Sequence, residues 1–462
     1  MEVRRLAPLL LPFAVGCQEA TVLIASDRDG GSFRDGGLDA GVPPCWGEES
    51  FVGSEWPTRG FGGTVASNDD YIFISSYIEA NDDYPTHVWE LSRLARTPAG
   101  WSVDRTQTSR DQMAPGHVIE AMSVADDGLW FGIPNGAGVG RVWHTSFDLD
   151  VLGAPLTSTS SGPTFGTNVV RDGRWLFVAE PFRDRSGAVD VFTVQSGTPE
   201  YVDTLRPDEP IVGEDFGTAI AVRGDRLLIG APTNCGRIDR CPERGRVLEY
   251  AHAGGRWSPV REHRSPSPRT YTFGSSISWL DDDRAWISAH YSYTCVDVCF
   301  DPTNPNPAQP GTGGCAADQV PCRYVGAGFV LEGGTIDEEH SPNELGTDGF
   351  ANLQWGRATA ADERWVAVGA HTDPSCSYAN PLSNGCGTAG SVHIFFDTGA
   401  NRLEHRYLRP TDLYPGMRFG EALALSGRTL VVGASQHCGS DQANCTQTGN
   451  GAVYVYEGCE AP

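Results

Sequence analysis

Short apolar runs separated by glycine- and aspartate-rich turns make up most of the chain. The stretch FGTAIAVRGDRLLIGAPTNCGRIDRCPERGRVLEY, residues 216–250, shows the pattern clearly. Residues 218–222 and 227–229 are apolar, and the Arg-Gly-Asp-Arg between them has room only for a tight hairpin turn. A loop that begins with Gly-Ala-Pro leads to a third run at 246–250, and a fourth follows at 257–260. The pattern predicts four antiparallel strands.

The same order of elements returns along the chain. An anchor, usually Phe-Gly, opens each unit at intervals of roughly 50 residues, and the intervals lengthen later in the chain where the loops are longer. The seven anchors are Phe61, His117, Phe165, Phe216, Phe273, Trp355 and Phe419. A repeat of this length predicts an all-β fold, a seven-bladed β-propeller of four-stranded antiparallel blades.

The last unit, which begins at Phe419, has room for three strands before Pro462. The segment 49–56, before the first anchor, can supply the missing outer strand. We therefore predict that an N-terminal strand closes the last blade, which removes the exposed strand edges. Closure would bring Cys45 and Cys459 together, and we expect a disulfide between them.

Two units carry the repeat motif in its fullest form. Phe216-Gly217 is followed by Gly230-Ala231-Pro232, and Phe419-Gly420 by Gly433-Ala434-Ser435. These residues resemble FG-GAP repeats, the units of integrin α-chain propellers and of many bacterial surface proteins. The resemblance covers roughly residues 45–458 and implies a propeller that presents one face to protein or carbohydrate ligands. Kelch and WD-type repeats have similar lengths, but the chain repeats neither a Gly-Gly/Tyr/Trp pattern nor Trp-Asp.

The first 44 residues do not have the composition of a folded unit. Two arginines precede the apolar run 6–15, which is too short to span a bilayer and predicts a signal peptide over residues 1–16. Its end, Ala-Val-Gly-Cys17, resembles a bacterial lipobox, whose cysteine is acylated; ordinary cleavage nearby is the alternative. Residues 17–44 are rich in glycine and aspartate and predict a flexible tether to a propeller over 45–462. We expect a lipid-anchored protein of the bacterial cell envelope, at the outer membrane or cell surface.

Composition excludes several classes of function. The formal net charge of −25 argues against nucleic-acid binding, which needs a basic footprint. It also disfavours unassisted binding to anionic lipid, so membrane contact is expected through the lipid anchor only. The chain contains no lysine, which excludes Schiff-base chemistry and a P-loop.

The cysteines indicate an oxidising compartment. The chain has 13, and an even number remains when Cys17 is set aside for the lipid. Ten cysteines lie in the loops that follow the second strand of a unit. Six of them form the pairs Cys235 and Cys241, Cys376 and Cys386, and Cys438 and Cys445, and the long insertion of the fifth unit contains Cys295, Cys299, Cys315 and Cys322. We predict disulfides within these loops, with the pairing of the last four left open. Zinc is the alternative for those four, but their spacing fits zinc ligation poorly. No metal or cofactor is predicted.

Strand alternation divides the loops between two faces. The loops after second strands and between blades lie on one face, which we call the loop face; the hairpin turns lie on the other, the turn face. The disulfides predicted within these loops all crowd the loop face of blades 4 to 7, where a rigid scaffold normally carries recognition. The insertion at 290–324 supplies candidate ligand-binding residues, Tyr291, Tyr293, Phe300 and Tyr324. The alternative is that these side chains pack the insertion's own core.

No catalytic motif is visible. The Asp-rich turns between first and second strands are too short to wrap calcium, and they match hairpin turns, as does Arg223-Gly224-Asp225. There is no HExxH pair, GxSxG elbow or Rossmann unit. We expect a non-catalytic binding or adhesion module. The alternatives are an envelope hydrolase or lyase that acts on a polymer at the propeller channel, and a purely structural envelope component. Acid and histidine residues clustered at the channel mouth would favour the enzyme.

Overall fold

The computed structural model describes sixteen segments of the chain. They are residues 46–53, 58–78, 88–98, 100–108, 118–134, 138–160, 162–232, 244–267, 270–294, 323–340, 354–362, 364–374, 388–397, 403–410, 415–437 and 449–458. The predicted signal peptide and tether, residues 1–44, lie outside them. Within these segments the chain is all-β apart from short 3-10 geometry such as Arg183–Arg185. None of the helical residues described forms a segment long and apolar enough to cross a membrane.

The strands form seven antiparallel blades. Blade 1 contains β2 (Thr58–Arg59), β3 (Val65–Ser67), β4 (Tyr71–Ile78), β5 (Val88–Thr97) and β6 (Gly100–Thr108). Blade 2 contains β7 (Ala121–Ala125), β8 (Gly128–Ile133), β9 (Arg141–Thr145) and β10 (Leu156–Thr157), and blade 3 contains β11 (Asn168–Asp172), β12 (Trp175–Glu180), β13 (Ala188–Gln195) and β14 (Thr198–Leu205). Blade 4 contains β15 (Ala219–Arg223), β16 (Arg226–Ala231), β17 (Arg246–Ala253) and β18 (Arg256–His263).

The remaining blades follow in the same order. Blade 5 contains β19 (Ser276–Trp279), β20 (Arg284–Ala289), β23 (Ala327–Glu332) and β24 (Thr335–His340), with a small hairpin of β21 (Tyr293–Thr294) and β22 (Arg323–Tyr324) in its insertion; blade 6 contains β25 (Thr359–Asp362), β26 (Trp365–Gly369), β27 (Val392–Asp397) and β28 (Leu403–Leu408); blade 7 contains β29 (Ala422–Ser426), β30 (Thr429–Ala434), β31 (Ala452–Gly458) and β1 (Trp46–Gly53).

The innermost strands of the seven blades form a ring around the channel. Each lies beside its counterpart in the next blade, in the order β3, β7, β11, β15, β19, β25 and β29, and β29 lies beside β3 again. The seven-bladed ring is therefore closed, as the repeat predicts.

The N-terminal strand completes blade 7. β1 pairs antiparallel with β31, so that Trp46 lies opposite Gly458 and Gly53 opposite Ala452. The strand lies earlier than the predicted segment 49–56. A contact between blades accompanies this shift: the Trp46 ring packs edge-on against Trp365 of blade 6, with 5.2 Å between centroids.

The core lies between the blades, and the aromatic anchors belong to it. Phe216 is fully buried and packs with Ile229 and Tyr250 of its own blade and with Phe177 of blade 3. Strand alternation produces this arrangement, because every second side chain of a blade faces one neighbouring blade. The anchor ring fills the junction between the two blades.

The glycines of the repeat allow the blades to approach each other. Gly217 donates its amide hydrogen to the Gly230 carbonyl at 3.0 Å, which ties the anchor to the second strand. A Cβ atom on Gly230 would lie 2.0 Å from the carbonyl oxygen of Gly274, the anchor glycine of blade 5. Similar close contacts with the next blade occur at Gly132, Gly369 and Gly433. The glycine of the second motif thus permits backbone contact across the joint.

The anchor of blade 2 lies later than expected. Glu120 donates its amide hydrogen to the Gly132 carbonyl, as Gly217 does to the Gly230 carbonyl in blade 4, so Ile119 takes the place of Phe216. Ile119 is 3% exposed and packs in the core, whereas the predicted anchor, His117, lies outside the described residues. Without a Phe-Gly pair, an aliphatic side chain at the first position of the anchor fills the junction.

Candidate functional site

The predicted site residues fall mostly outside the described segments. All the cysteines lie there, Cys17, Cys45, Cys235, Cys241, Cys295, Cys299, Cys315, Cys322, Cys376, Cys386, Cys438, Cys445 and Cys459, and so does Phe300. Tyr293 and Tyr324 pair across the β21–β22 hairpin at the base of the insertion. Tyr291 is half-buried, and its ring packs against His290 with 4.3 Å between centroids.

A tight turn around each anchor brings polar side chains to the channel. In blade 4 the carbonyl of Asp215, just before the anchor, accepts a hydrogen bond from the amide of Thr218 at 3.1 Å. The same bond joins Thr272 to Ser275, Gln354 to Arg357, and Arg418 to Glu421. The residue before the anchor is left-handed in each of these blades, with φ of 55° at Asp215, 56° at Thr272, 48° at Gln354 and 57° at Arg418. A glycine, Gly60, takes this place in blade 1.

Three positions of each repeat lie at the loop-face end of the two innermost strands. They are the residue before the anchor, the residue two after it, and the last residue of the second motif. In blades 5 to 7 these positions include a group that we call the rim cluster, His290, Arg357, His371, Arg418, Glu421 and Ser435. In blades 3 and 4 the equivalent positions after the anchor and after the second strand carry Thr167, Pro181, Thr218 and Pro232. Blades 5 to 7 therefore differ in chemistry at this end of the channel.

One of the two rim arginines is paired with an acid. Arg418 Nη1 donates to Glu421 Oε1 at 3.2 Å, and the Ser435 hydroxyl donates to Glu421 Oε2. Arg357 is exposed and donates from Nη1 to the neutral amide oxygen of Gln354 at 3.3 Å. Within the segments the structure describes, no carboxylate pairs with Arg357.

The two histidines of the rim cluster are neutral at physiological pH. Burial and the nearby charge of Arg357 lower the pKa of His290 to about 4. Burial lowers the pKa of His371 to about 3, and Arg357, Arg418 and His290 contribute to that shift. His371 is only 3% exposed, and Nδ1 of both rings finds no hydrogen-bond partner in the described part of the chain.

A buried ion pair braces the strand end next to His371. Arg409 Nη2 lies 2.7 Å from Asp373 Oδ2, which also accepts a hydrogen bond from the Ser391 hydroxyl at 2.7 Å. All three side chains are buried. Similar pairs, Arg183 with Asp190 and Arg246 with Glu214, lie at the loop-face ends of blades 3 and 4. Buried ion pairs therefore hold the strand ends from which the loops of the loop face begin.

The turn face carries charges that pair with one another. A cleft of about 470 Å³ is lined by Arg223, Asp281, Asp282, Asp283, Arg284, Glu332 and Arg364. Arg223 contacts Asp282 at 2.6 Å, and Asp281 Oδ1 accepts hydrogen bonds from the amides of Asp283 and Arg284. These acids therefore build the hairpin turn. Among the described residues, no group of three or more histidine, cysteine, aspartate or glutamate side chains is placed to hold a metal ion.

The Arg-Gly-Asp tripeptide forms the hairpin turn between β15 and β16. Gly224 has a φ of 58°, and Asp225 contacts His252 Nδ1 at 3.1 Å while Arg223 contacts Asp282. The charged side chains of Arg223 and Asp225 thus both have partners within the propeller, as the sequence predicts for a hairpin turn.

Comparison with known proteins supports the repeat assignment. The family model described as FG-GAP repeat matches residues 404–456, from the last strand of blade 6 through most of blade 7. This stretch is similar to an FG-GAP repeat. No curated protein matches the chain. The seven-bladed architecture and the repeat together agree with the resemblance drawn from the sequence.

Solved propellers share the architecture at low sequence identity. The structure of U3-55K is 13% identical, with a TM-score of 0.52 over 89% of this chain and 100% of that chain. The crystal structure of the RRP9 WD40 repeats is 12% identical, with a TM-score of 0.51 over 90% of this chain and 100% of that chain. At this identity the similarity shows the fold alone.

Most of the rim cluster was not singled out by the sequence analysis. A signal was present nonetheless, because Arg357 and Glu421 each lie two residues after an anchor and Arg418 lies one before. His290 and His371 both follow the small residues of the second motif. Comparison of these positions across the seven repeats would have separated blades 5 to 7 from the others.

Proposed function

We propose that the protein is a non-catalytic binding module of the bacterial cell envelope that engages a protein or carbohydrate ligand through the loop face of blades 5 to 7. The observation that carries this proposal is the rim cluster, where charged and imidazole side chains from three consecutive blades share one end of the channel. The fold and the FG-GAP repeat are consistent with a binding module. Binding sites commonly lie on loops that a rigid scaffold positions.

The proposed location follows from the N-terminal sequence. A signal peptide over residues 1–16, acylation of Cys17 and the tether over 17–44 would hold the propeller at the outer membrane or cell surface. The proposed disulfides fit this oxidising setting. Mass spectrometry of the mature N-terminal peptide tests the anchor, and a free Cys17 thiol would contradict it.

An envelope hydrolase or lyase is the second candidate. Histidines and an acid do meet at the channel mouth, which is the feature expected of an enzyme that acts on a polymer there. However, general acid–base catalysis works best with groups whose pKa lies near the working pH. His290 and His371 have pKa values of about 4 and about 3, and Glu421 is engaged by Arg418 and Ser435. The cluster is better suited to binding.

The test compares the two faces of the propeller. The full chain, solubilised in detergent, is applied to an array of neutral and charged polysaccharides and to immobilised envelope proteins. One variant carries Arg357→Gln and Arg418→Gln; the matched control carries Arg223→Gln and Arg364→Gln on the turn face, so both lose two positive charges.

We expect the wild type and the turn-face variant to retain a ligand that the rim variant loses. Equal retention by both variants would contradict a loop-face site. Release of new reducing ends from a bound polysaccharide would support the enzyme instead.

A further inference from the structure

We infer that the rim cluster binds the carboxylate groups of an acidic polysaccharide, with Arg357 and Arg418 as its cationic contacts. The inference rests on the proposed function and adds the chemical class of the ligand. Three independent features of the described residues lead to it: the charge balance of the cluster, an unsatisfied buried imidazole, and the absence of an exposed apolar centre.

The charge balance favours a monoanionic group. Arg357 and Arg418 each contribute one positive charge, and Glu421 contributes one negative charge, which leaves one positive charge on the cluster while both histidines are neutral. Among the described residues, the Arg357 guanidinium has the neutral Gln354 amide within hydrogen-bond distance and no carboxylate. A guanidinium matches the planar geometry of a carboxylate, with which it can form two parallel hydrogen bonds.

The His371 imidazole has a ring nitrogen to which a polar ligand atom could hydrogen-bond. His371 is 97% buried, and its Nδ1 has no partner within the described segments. Buried polar groups are normally hydrogen-bonded, so each exception calls for an explanation. A neutral imidazole offers one donor and one acceptor, and a sugar hydroxyl can satisfy either.

The backbone at Arg418 permits a clean test of its side chain. Arg418 adopts a φ of 57°, a conformation that favours glycine and that Gly60 adopts at the equivalent position of blade 1. Asp215, Thr272 and Gln354 share this conformation, so it belongs to the turn of the repeat. Substitution of Arg418 by glycine therefore removes the side chain without requiring a new backbone conformation.

The surface chemistry favours carbohydrate over protein. The large exposed apolar side chains among the described residues are Phe51, Val103, Val118, Leu152, Phe182, Tyr201, Val202, Val212 and Val260. Of these only Phe51 belongs to blades 5 to 7; it lies on the outer strand β1, and none of them is part of the rim cluster. The centre of a protein interface is normally depleted of charge and enriched in apolar and aromatic residues. The rim cluster has the opposite character, and the Tyr291 ring beside His290 supplies an aromatic surface of the kind on which sugars pack.

The experiment is calorimetric titration of the full chain in detergent with defined oligomers. The probes are a hexuronate oligomer, the neutral hexose oligomer of the same linkage, a sulfated oligosaccharide and an oligoglutamate peptide. The variants are Arg357→Gln, Arg418→Gly and, as the matched control on the turn face, Arg223→Gln.

We expect the hexuronate oligomer to bind and the neutral oligomer not to bind. Arg357→Gln should weaken binding about 10- to 100-fold, since it removes a charge-assisted hydrogen bond. Arg418→Gly should weaken it similarly with an unfolding temperature no lower than that of the wild type, because glycine relieves the left-handed strain. Arg223→Gln should leave binding within about twofold of the wild type.

Several outcomes would overturn the inference. Equal binding of the neutral oligomer, lost on rim substitution, would reject the anionic class while the loop-face function stands. Binding of the sulfated oligosaccharide or the peptide alone would reject the carboxylate polysaccharide. Hexuronate binding that is unaffected by Arg357→Gln but weakened by Arg223→Gln would reject both the inference and the proposed function.

Discussion

The substitution Gly230→Ala tests the physical role of the repeat glycines. A Cβ atom at this position would lie 2.0 Å from the carbonyl oxygen of Gly274 and 3.0 Å from its carbonyl carbon, both in the backbone of blade 5. Because neither atom belongs to a flexible side chain, the new methyl group can be accommodated only if the two blades separate. Overpacking of this kind typically costs about 1–3 kcal/mol in the free energy of unfolding.

Urea unfolding measures this cost, since a change in midpoint at constant slope reports a change in stability. Gly458→Ala is the matched control: Gly458 also lies in a strand of the inter-blade core, but its nearest neighbours would be 3.5 Å from the added Cβ. We expect the control to stay within about 0.5 kcal/mol of the wild type. If Gly230→Ala is as stable as the control, then the glycine is not required for close approach of the blades.

Three further predictions follow from the closure, the buried ion pair and the buried histidine. Trp46 lies opposite Gly458, so we expect their chain neighbours Cys45 and Cys459 to form a disulfide; non-reducing peptide mapping should find them joined, and either cysteine free would refute the pairing. Asp373→Asn should lower the free energy of unfolding by about 3–5 kcal/mol in urea, because it removes the charged partner from a buried ion pair with Arg409; a loss below about 1 kcal/mol would contradict this. Burial, with a contribution from Arg409, lowers the pKa of His393 to about 3, so between pH 6.5 and pH 3 the unfolded chain takes up a proton that the folded chain does not. As the pH falls through that window, the free energy of unfolding should decrease by up to about 1.4 kcal/mol per pH unit. His393→Gln should make this dependence on pH less steep, and an unchanged dependence would refute the low pKa of His393.

The repeat made the architecture predictable from sequence. Hairpin turns such as that at Gly224 depend on local residue chemistry, and strand alternation fixes which face of a blade is apolar, so blade order and closure by an N-terminal strand could be inferred. The anchor of blade 2 could not be placed because Ile119 replaces the Phe-Gly signal. The position of β1 also escaped prediction, since Trp46 packs against Trp365, which is distant in sequence.

The candidate site was less predictable than the fold. Its residues come from three blades, and their proximity depends on the closed ring rather than on local sequence. His290 and His371 could be placed at the ends of second strands, but their burial and low pKa values depend on neighbours such as Arg357. Tyr291 was predicted from its place in the insertion, and the structure adds its contact with His290.

Amide hydrogen exchange of the full chain, measured with and without a polysaccharide retained on the array, identifies the face of the propeller that binds it. We expect slower exchange on the loop face of blades 5 to 7, in peptides that cover residues 289–292, 354–357, 370–373 and 418–421. Peptides that cover the turn-face residues 223–226 and 281–284 should be unchanged. Protection confined to the turn-face peptides would contradict a binding module that works through its loop face.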